Sequence, residues 1–157
     1  MTDFERELET IMDEICEESA NLIARDATEY YQERFTEKEW DDVAWQPAKN
    51  PPKRGSLMLR SSGLVNSILP AEVTPQRVVI KAGDNLKVKY AQVHNEGFVG
   101  DVNVKSHTRE IRGERKEIRA HIRHMMIPKR QYMGVTKELE DRIMSGIEGL
   151  IESKFNK

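Results

Sequence analysis

The sequence predicts an α+β fold: a long N-terminal helix, a small antiparallel sheet with a protruding basic β-hairpin arm, and a C-terminal helix. Apolar residues recur at helical spacing near both ends of the chain, and short β-prone segments separated by turn residues lie between them. The chain has 157 residues, a length that fits one domain. We therefore expect residues 1–157 to form a single domain in which residues 101–126 are the arm.

The N-terminal helix is predicted over residues 3–34. Its apolar side chains keep mostly to one stripe at a spacing close to 3.6 residues. The opposite face is acidic, because residues 2–36 carry 11 acidic and 3 basic side chains. Such a face is either a solvated surface or a surface that meets a basic partner, and the pattern leaves both interpretations open.

A connector is expected over residues 36–55, where the prolines disfavour a regular helix. Its two tryptophans, Trp40 and Trp45, are expected to pack onto the edge of the core, with a subunit contact as the alternative. Ser61 or Ser62 is then positioned to cap a short helical turn.

Strands are predicted at residues 68–73, 77–81 and 86–89. The intervening segments 74–76 and 83–85 contain Pro, Gly, Asp and Asn, which favour turns. The three strands are therefore expected to form an antiparallel meander.

A short helical turn is expected over residues 90–97, closed by Gly97. The chain then repeats itself weakly, since residues 104–109 resemble residues 118–123 and Gly113 lies between the two copies. An antiparallel hairpin with its turn near Gly113 would place the copies opposite each other.

The arm is basic, since residues 101–130 carry 9 basic and 4 acidic side chains. It could be a solvated surface, a protein contact or a nucleic-acid contact. No aromatic residue lies between Asp101 and Met126, which argues against stacking on single strands, and no recognition-helix pattern is evident. The candidate contact residues are Lys105, Arg109, Arg112, Arg115, Lys116, Arg119 and Arg123.

The C-terminal helix is predicted to begin after Thr136, whose side chain is a favourable N-cap. Glu138, Glu140 and Asp141 suit the positive end of the helix dipole, and Lys154 suits the negative end. The buried stripe is expected to consist of Leu139, Ile143, Ile147, Leu150 and Ile151.

The residues do not predict an enzyme. Four histidines, His94, His107, His121 and His124, fall within 31 residues, but no acidic residue stands at helical spacing to complete a known metal-ligand pattern. On a strand, His121 and His124 would point to opposite faces. Phosphate-binding and nucleophile-elbow motifs are absent from the sequence. We therefore expect no catalytic residue, no metal site, no cofactor and no small-molecule substrate.

Composition also bounds the compartment. A single cysteine, Cys16, excludes an internal disulfide and favours a reducing environment. The acidic N-terminus lacks the apolar run of a signal peptide, and no apolar stretch approaches the ~20 residues that span a membrane. We expect a soluble protein that is cytoplasmic where it is made.

Four segments in a particular order resemble the phage virion-morphogenesis (tail-completion) family. They are WQP at 45–47, LRSSGLVNSI at 59–68, YAQVHNEG at 90–97 and IPKRQYMG at 127–134. The resemblance covers the chain from about Phe35 to the end. It departs from the family pattern at Gln131, Tyr132 and Phe98, where the family usually has Pro, Phe and Gly. The residues that mark it are Gly63, Tyr90, His94, Gly97, Pro128, Arg130 and Gly134.

The resemblance implies a structural virion assembly protein that acts in tail completion or head–tail joining of a tailed phage or prophage. It would be present in the host cytoplasm during assembly and then in the virion. Its partners would be further copies of itself, in a possible ring, and other neck or tail proteins. The opposite charges of the arm and the N-terminal helix lead us to expect independently that the arm of one subunit reaches the acidic helix of a neighbour or of another neck protein. Arg130, with Tyr132 after it, is expected to hold the last helix on the sheet, and His94 is expected to be a structural hydrogen-bonding residue. The alternatives are a DNA-contacting neck module and a histidine-based metal-dependent hydrolase.

Overall fold

The structure, a computed structural model, describes residues 2–50, 53–84 and 88–156. Within these ranges it confirms the α+β class, with a long helix at each end and antiparallel strand pairs between them. The helices are α1 (Asp3–Glu37), α2 (Gly63–Asn66), α3 (Ala91–Glu96) and α4 (Lys137–Phe155). The strands are β1 (Glu39–Trp40), β2 (Val43–Ala44), β3 (Leu69–Thr74), β4 (Arg77–Lys81), β5 (Phe98–Val104), β6 (His107–Ile111), β7 (Glu114–Ile118) and β8 (His121–Ile127).

Side-chain and backbone caps define both ends of α1. Thr2 and Glu5 form a reciprocal capping box, in which the Glu5 backbone N–H donates to Thr2 Oγ1 at 3.2 Å and the Thr2 N–H donates to Glu5 Oε2 at 2.6 Å. Lys38 closes the helix in a left-handed conformation and donates its N–H to the Arg34 carbonyl at 2.7 Å. The helix therefore ends three residues after the predicted end. The sequence does not indicate this end, because a lysine stands at the left-handed position that is usually glycine.

Helix α4 packs antiparallel to α1, along residues 14–34 of that helix. Ala27 and Tyr30 of α1 are buried with Leu139 of α4. At the rim, Arg142 pairs with two α1 carboxylates, and Lys154 lies 3.1 Å from Glu14 and 2.7 Å from Glu18. Part of the acidic face of α1 is therefore neutralised by α4 of the same chain.

The first turns of α1 extend beyond this packing. We call residues 3–13 the overhang, because Glu14 is the first residue of the helix that pairs with α4 and Ile15 is the first that is buried. Its apolar side chains Phe4, Leu8 and Met12 are exposed, and Phe4 retains 72% of its accessible surface. The apolar stripe that predicts α1 thus continues onto a surface that the described part of the chain does not cover.

The main core lies where the C-terminal end of α1 meets the connector and the segment before α4. Phe35, Ile68 and Tyr132 are its most deeply buried members. Trp45 is buried beside Phe35 and donates its indole N–H to the Gln131 carbonyl at 2.7 Å. Trp40 packs against Tyr30 and Tyr31 at ring-centroid distances of 6.2 and 6.4 Å. The predicted packing of both tryptophans onto the core is therefore confirmed.

Strands β3 and β4 form the predicted hairpin and lie against α1. The expected third strand at 86–89 lies largely outside the described residues, which omit 85–87; Val88 and Lys89 belong to no strand, and Val88 is buried in the core. The described part of the predicted meander is thus a two-stranded hairpin.

The remaining strands form a long two-stranded ribbon, residues 98–127. Strand β5 pairs with β8 and β6 pairs with β7, and the register is continuous, with Val104 opposite His121 and His107 opposite Ile118. Residues 105–106 and 119–120 interrupt the ladder, and the turn is at Arg112 and Gly113. The strands of the ribbon contact one another far more than they contact any other helix or strand of the described chain. The antiparallel pairs therefore form separate ladders rather than one sheet.

Gly97 links α3 to the ribbon in a conformation that L-residues avoid, with φ 79° and ψ 166°. A Cβ at Gly97 would lie 3.0 Å from the backbone nitrogen of Lys129, which follows the last strand of the ribbon. We expect Gly97→Ala to lower the free energy of unfolding by about 1–3 kcal/mol, measured by urea denaturation. Gly149→Ala is the control, because a Cβ at that position of α4 meets no atom within 4 Å. It should raise stability by up to about 1 kcal/mol, and equal effects of the two changes would contradict this account.

The described residues contain no helix that combines the length and the apolar character needed to cross a membrane.

Candidate functional site

Four of the seven motif residues converge on one cleft. Gly63, Tyr90, His94 and Arg130 lie far apart in the chain, yet they line the same depression of about 690 Å³. The other three do not line it: Gly97 and Pro128 lie at the base of the ribbon, and the Gly134 carbonyl accepts a hydrogen bond from Tyr31 Oη at 2.8 Å. The remaining cleft residues are Ala48, Asn50, Ser56, Leu57, Met58, Arg60, Ser61, Ser62 and Leu64.

One wall of the cleft is a tight loop. Ser56 and Leu59 exchange backbone hydrogen bonds at 3.3 and 3.0 Å, and Met58 and Ser62 have positive φ angles of 65° and 54°. Left-handed backbone at a non-glycine residue costs about 1–2 kcal/mol. Ser62 occupies the N-cap of α2, but its side chain makes no capping hydrogen bond. The predicted serine cap is therefore wrong: the Ser62 backbone is left-handed, whereas a capping side chain reaches the helix amides from an extended backbone.

Arg130 is the buried cation of the cleft, with only 6% of its surface exposed. Its Nε donates to the Gln46 carbonyl at 2.9 Å, and its backbone N–H donates to the His94 carbonyl at 2.8 Å. Among the described residues it has no carboxylate partner. Burial lowers the pKa of Arg130 from its usual value. Its contacts join the connector to the segment before α4, and α4 itself is held by Tyr30 and Leu139.

His94 presents an unpaired ring nitrogen. Its Nδ1 is buried and finds no hydrogen-bond partner among residues 2–50, 53–84 and 88–156. The Tyr90 ring meets the imidazole edge-on at 5.7 Å. Burial, reinforced by the charge of Arg130, lowers the pKa of His94, which favours the neutral ring. The structural hydrogen bond expected of His94 is made by its backbone carbonyl and not by its imidazole.

Asn95 is a structural residue that the sequence did not single out. Its Oδ1 accepts from the backbone N–H groups of Tyr132 and Met133 at 2.9 and 3.0 Å, and its Nδ2 donates to the Met133 carbonyl at 3.4 Å. Tyr132 Oη in turn donates to the Ala91 carbonyl at 2.9 Å, and burial raises the pKa of Tyr132. Asn95 therefore fastens the segment before α4 to α3. The 90–97 motif indicated the segment but not this residue.

The seven basic candidates on the ribbon are all exposed, and they do not share one face. Arg109 and Lys116 stand directly opposite each other, whereas Arg115 and Arg123 occupy the alternate face. Arg112 is in the turn with φ 55°, and Lys105 and Arg119 lie in the ladder interruption.

The histidines do not converge. His107 Nδ1 lies 3.0 Å from the Lys105 carbonyl, and His121 Nδ1 lies 2.9 Å from the Arg119 carbonyl, so the sequence repeat corresponds to a repeated local contact. His124 pairs across the ribbon with Asp101 at 2.8 Å. The described residues contain no group of three or more His, Cys, Asp or Glu side chains placed to hold a metal ion.

The described residues thus present two prominent surface features, an exposed two-stranded ribbon and a cleft lined by two arginines. The chain belongs to the phage virion morphogenesis family, whose model matches residues 1–152. The resemblance carried by the four sequence segments is therefore confirmed, and the family indicates a structural or assembly role in a phage particle. Among curated proteins and among solved structures, nothing matches this chain.

Proposed function

We propose that this protein completes the tail or joins head to tail in a tailed phage or prophage, and that it does so as a non-enzymatic subunit of a ring. The ribbon of one copy contacts the overhang of α1 in the next copy, and further neck or tail proteins bind the assembled ring. The protein acts in the host cytoplasm during assembly and remains in the virion. The observation that carries this proposal is the match of exposed apolar and charged groups between the ribbon and the overhang.

One face of the ribbon combines both kinds of group. Val99 and Met126 are opposite each other near its base, Ile122 lies further along the same face, and each retains 68% of its surface. Arg109 and Lys116 follow on that face toward the tip. Like charges directly opposite each other destabilise a strand pair. A partner that offers carboxylates beside an apolar surface would relieve this repulsion and bury the apolar side chains.

The overhang offers that surface. Its exposed Phe4 and Met12 lie among Glu7, Glu9 and Asp13, which make no ion pair among the described residues. The neighbouring Glu14 is instead paired with Lys154 of α4. The overhang is thus the part of the acidic face that α4 leaves available.

The two surfaces lie on different parts of one molecule. A contact between them is head-to-tail, and such contacts close into a ring when the rotation per subunit permits. This geometry supports self-assembly, and it requires no reacting group.

Reversing the charge of three basic residues on the ribbon tests the proposal. We expect Lys105→Glu, Arg109→Glu and Lys116→Glu together to weaken self-association by about 2–3 kcal/mol, or roughly 30- to 150-fold, because each attraction on the contact face becomes a repulsion. The measurement is sedimentation equilibrium at low salt and at high salt. Wild-type association should weaken as salt rises.

The control reverses three exposed cations away from the ribbon: Arg77→Glu, Lys81→Glu and Lys89→Glu. This variant has the same net charge and should associate like the wild type. Equal weakening by both triple variants would indicate a net-charge effect and contradict the proposed contact. A different result would support the DNA-contacting alternative: the wild type binds duplex DNA without self-associating, and only the ribbon variant loses this binding.

A further inference from the structure

The cleft described above is lined by cationic groups without a carboxylate from the described part of the chain. Its basic residues are two arginines and a histidine. Arg60 is exposed, whereas Arg130 is almost fully buried. A volume of about 690 Å³ is within the range of specific ligand pockets and exceeds what a single ion requires.

The buried charge of Arg130 is only partly satisfied. Its guanidinium donates to two neutral backbone carbonyls, those of Gln46 at 2.9 Å and Pro47 at 3.5 Å. Buried charges in proteins are normally paired, because an unpaired charge loses its hydration without a compensating anion. A carboxylate that entered the cleft from outside would supply this anion.

Further hydrogen-bonding groups in the cleft are unused. Nδ1 of His94 has no partner in the described chain, and the imidazole in its Nδ1–H tautomer is a donor. The hydroxyls of Ser56, Ser61 and Ser62 also form no hydrogen bond within the described residues. The cleft therefore offers several donors of the kind that hold a carboxylate and the backbone carbonyls of a peptide.

The apolar lining favours a peptide over a nucleic acid. Leu57, Met58 and Leu64 lie among the polar groups, and methionine adapts readily to different apolar partners. Phosphate backbones are bound mainly through cations and would leave these apolar side chains uncovered, whereas a peptide can cover them while its carboxylate pairs with an arginine. We propose that the cleft binds an acidic peptide segment of another protein of the particle, with a glutamate or aspartate side chain against Arg130 and Arg60 and an adjoining apolar side chain against Leu57 and Met58.

This site is separate from the ribbon and the overhang. The inference that the bound segment belongs to another protein of the particle rests on the proposed function. The argument from the chemistry of the cleft does not depend on that function. The experiment therefore uses a defined peptide and reads the cleft directly, so that the result is independent of self-association.

The test titrates the ¹⁵N-labelled full chain with an acetylated, amidated Leu-Glu-Leu-Glu-Leu peptide and with its Leu-Gln-Leu-Gln-Leu counterpart. We expect the amide resonances of Ser61, Gly63 and His94 to shift saturably with the glutamate peptide, and the glutamine peptide to bind at least about tenfold more weakly. Arg60→Gln should weaken binding of the glutamate peptide by about tenfold or more. This change leaves the fold intact, because the Arg60 side chain is exposed and has no partner among the described residues.

Two matched variants separate the outcomes. The triple ribbon variant should bind the peptide like the wild type, even if it fails to associate. His94→Phe should fold, since it replaces a buried nitrogen that has no hydrogen-bond partner among the described residues, and should bind the peptide more weakly. No shift at the cleft, or equal binding of both peptides, would overturn the proposal. Inorganic phosphate or a 16-base-pair duplex that shifts the same resonances, where the glutamate peptide does not, would overturn it as well.

Discussion

Replacing Phe35 by alanine is expected to lower the free energy of unfolding by about 3–5 kcal/mol. The Phe35 side chain is fully buried, with 0% of its surface exposed. Its ring lies 5.5 Å from that of Trp45, edge to face, and 4.9 Å from that of Tyr132. It therefore joins α1, the connector and the segment before α4 in one cluster, and alanine would leave a cavity that three separate segments would have to fill.

Phe4→Ala is a matched control on the same helix, because Phe4 is 72% exposed. Its effect on the free energy of unfolding should be below about 0.5 kcal/mol. Urea denaturation of the isolated, non-associated chain provides both values. A loss of less than about 1 kcal/mol for Phe35→Ala would show that this cluster does not hold the segments together.

Asn95→Ala is expected to destabilise the protein by about 2–4 kcal/mol. The substitution removes the acceptor for two backbone N–H groups, those of Tyr132 and Met133, and an unsatisfied buried donor costs about 1–3 kcal/mol. Both groups belong to the segment that leads into α4, and that segment also provides Arg130 to the cleft. We therefore expect the cleft resonances to broaden in this variant.

Asn95→Asp tests the acceptor oxygen of the Asn95 side chain separately from its amide donor. Aspartate keeps oxygens that can accept both N–H groups and loses only the donation from Nδ2 to the Met133 carbonyl, which is the longest of the three bonds at 3.4 Å. It should retain most of the stability lost in the alanine variant. An aspartate variant as unstable as the alanine variant would show that the two accepted bonds are not the cause.

The helices could be predicted because their signals are local. Apolar periodicity and the Thr136 N-cap, whose Oγ1 accepts from the Leu139 N–H at 3.2 Å, indicated α4 within one residue of its start. The end of α1 was less accurate, since Lys38 adopts a left-handed conformation that the sequence does not mark. The overhang could not be predicted either, because periodicity shows that a face is apolar but not what covers it.

The cleft could not be predicted as a site, since it depends on contacts between distant segments. Its residues come from 48–50, 56–64, 90–94 and 130, and only the chain fold brings them together. The family segments pointed to Gly63, Tyr90, His94 and Arg130 individually. Arg60 lies inside one of these segments and was not singled out, because an exposed arginine becomes informative only when its neighbours prove to be cationic and free of carboxylates.

Some features of the ribbon could be predicted from the sequence and others could not. The weak repeat and Gly113 indicated a hairpin, and the turn has positive φ at Arg112 and Gly113, 55° and 83°. The division of basic residues between two faces follows from strand register, which the repeat alone does not specify. The exposed apolar residues at the ribbon base become visible as one surface only in the paired strands.

The most direct test of the central claim is a charge swap between the ribbon and the overhang. We expect the ribbon variant (Lys105→Glu, Arg109→Glu, Lys116→Glu) and an overhang variant (Glu7→Arg, Glu9→Arg, Asp13→Arg) each to weaken self-association by roughly 30-fold or more. In a chain that carries all six changes, the charges are complementary again with opposite sign. Sedimentation equilibrium should then show association restored to within about tenfold of the wild type. A six-change chain that associates no better than either parent variant would contradict a contact between these two surfaces.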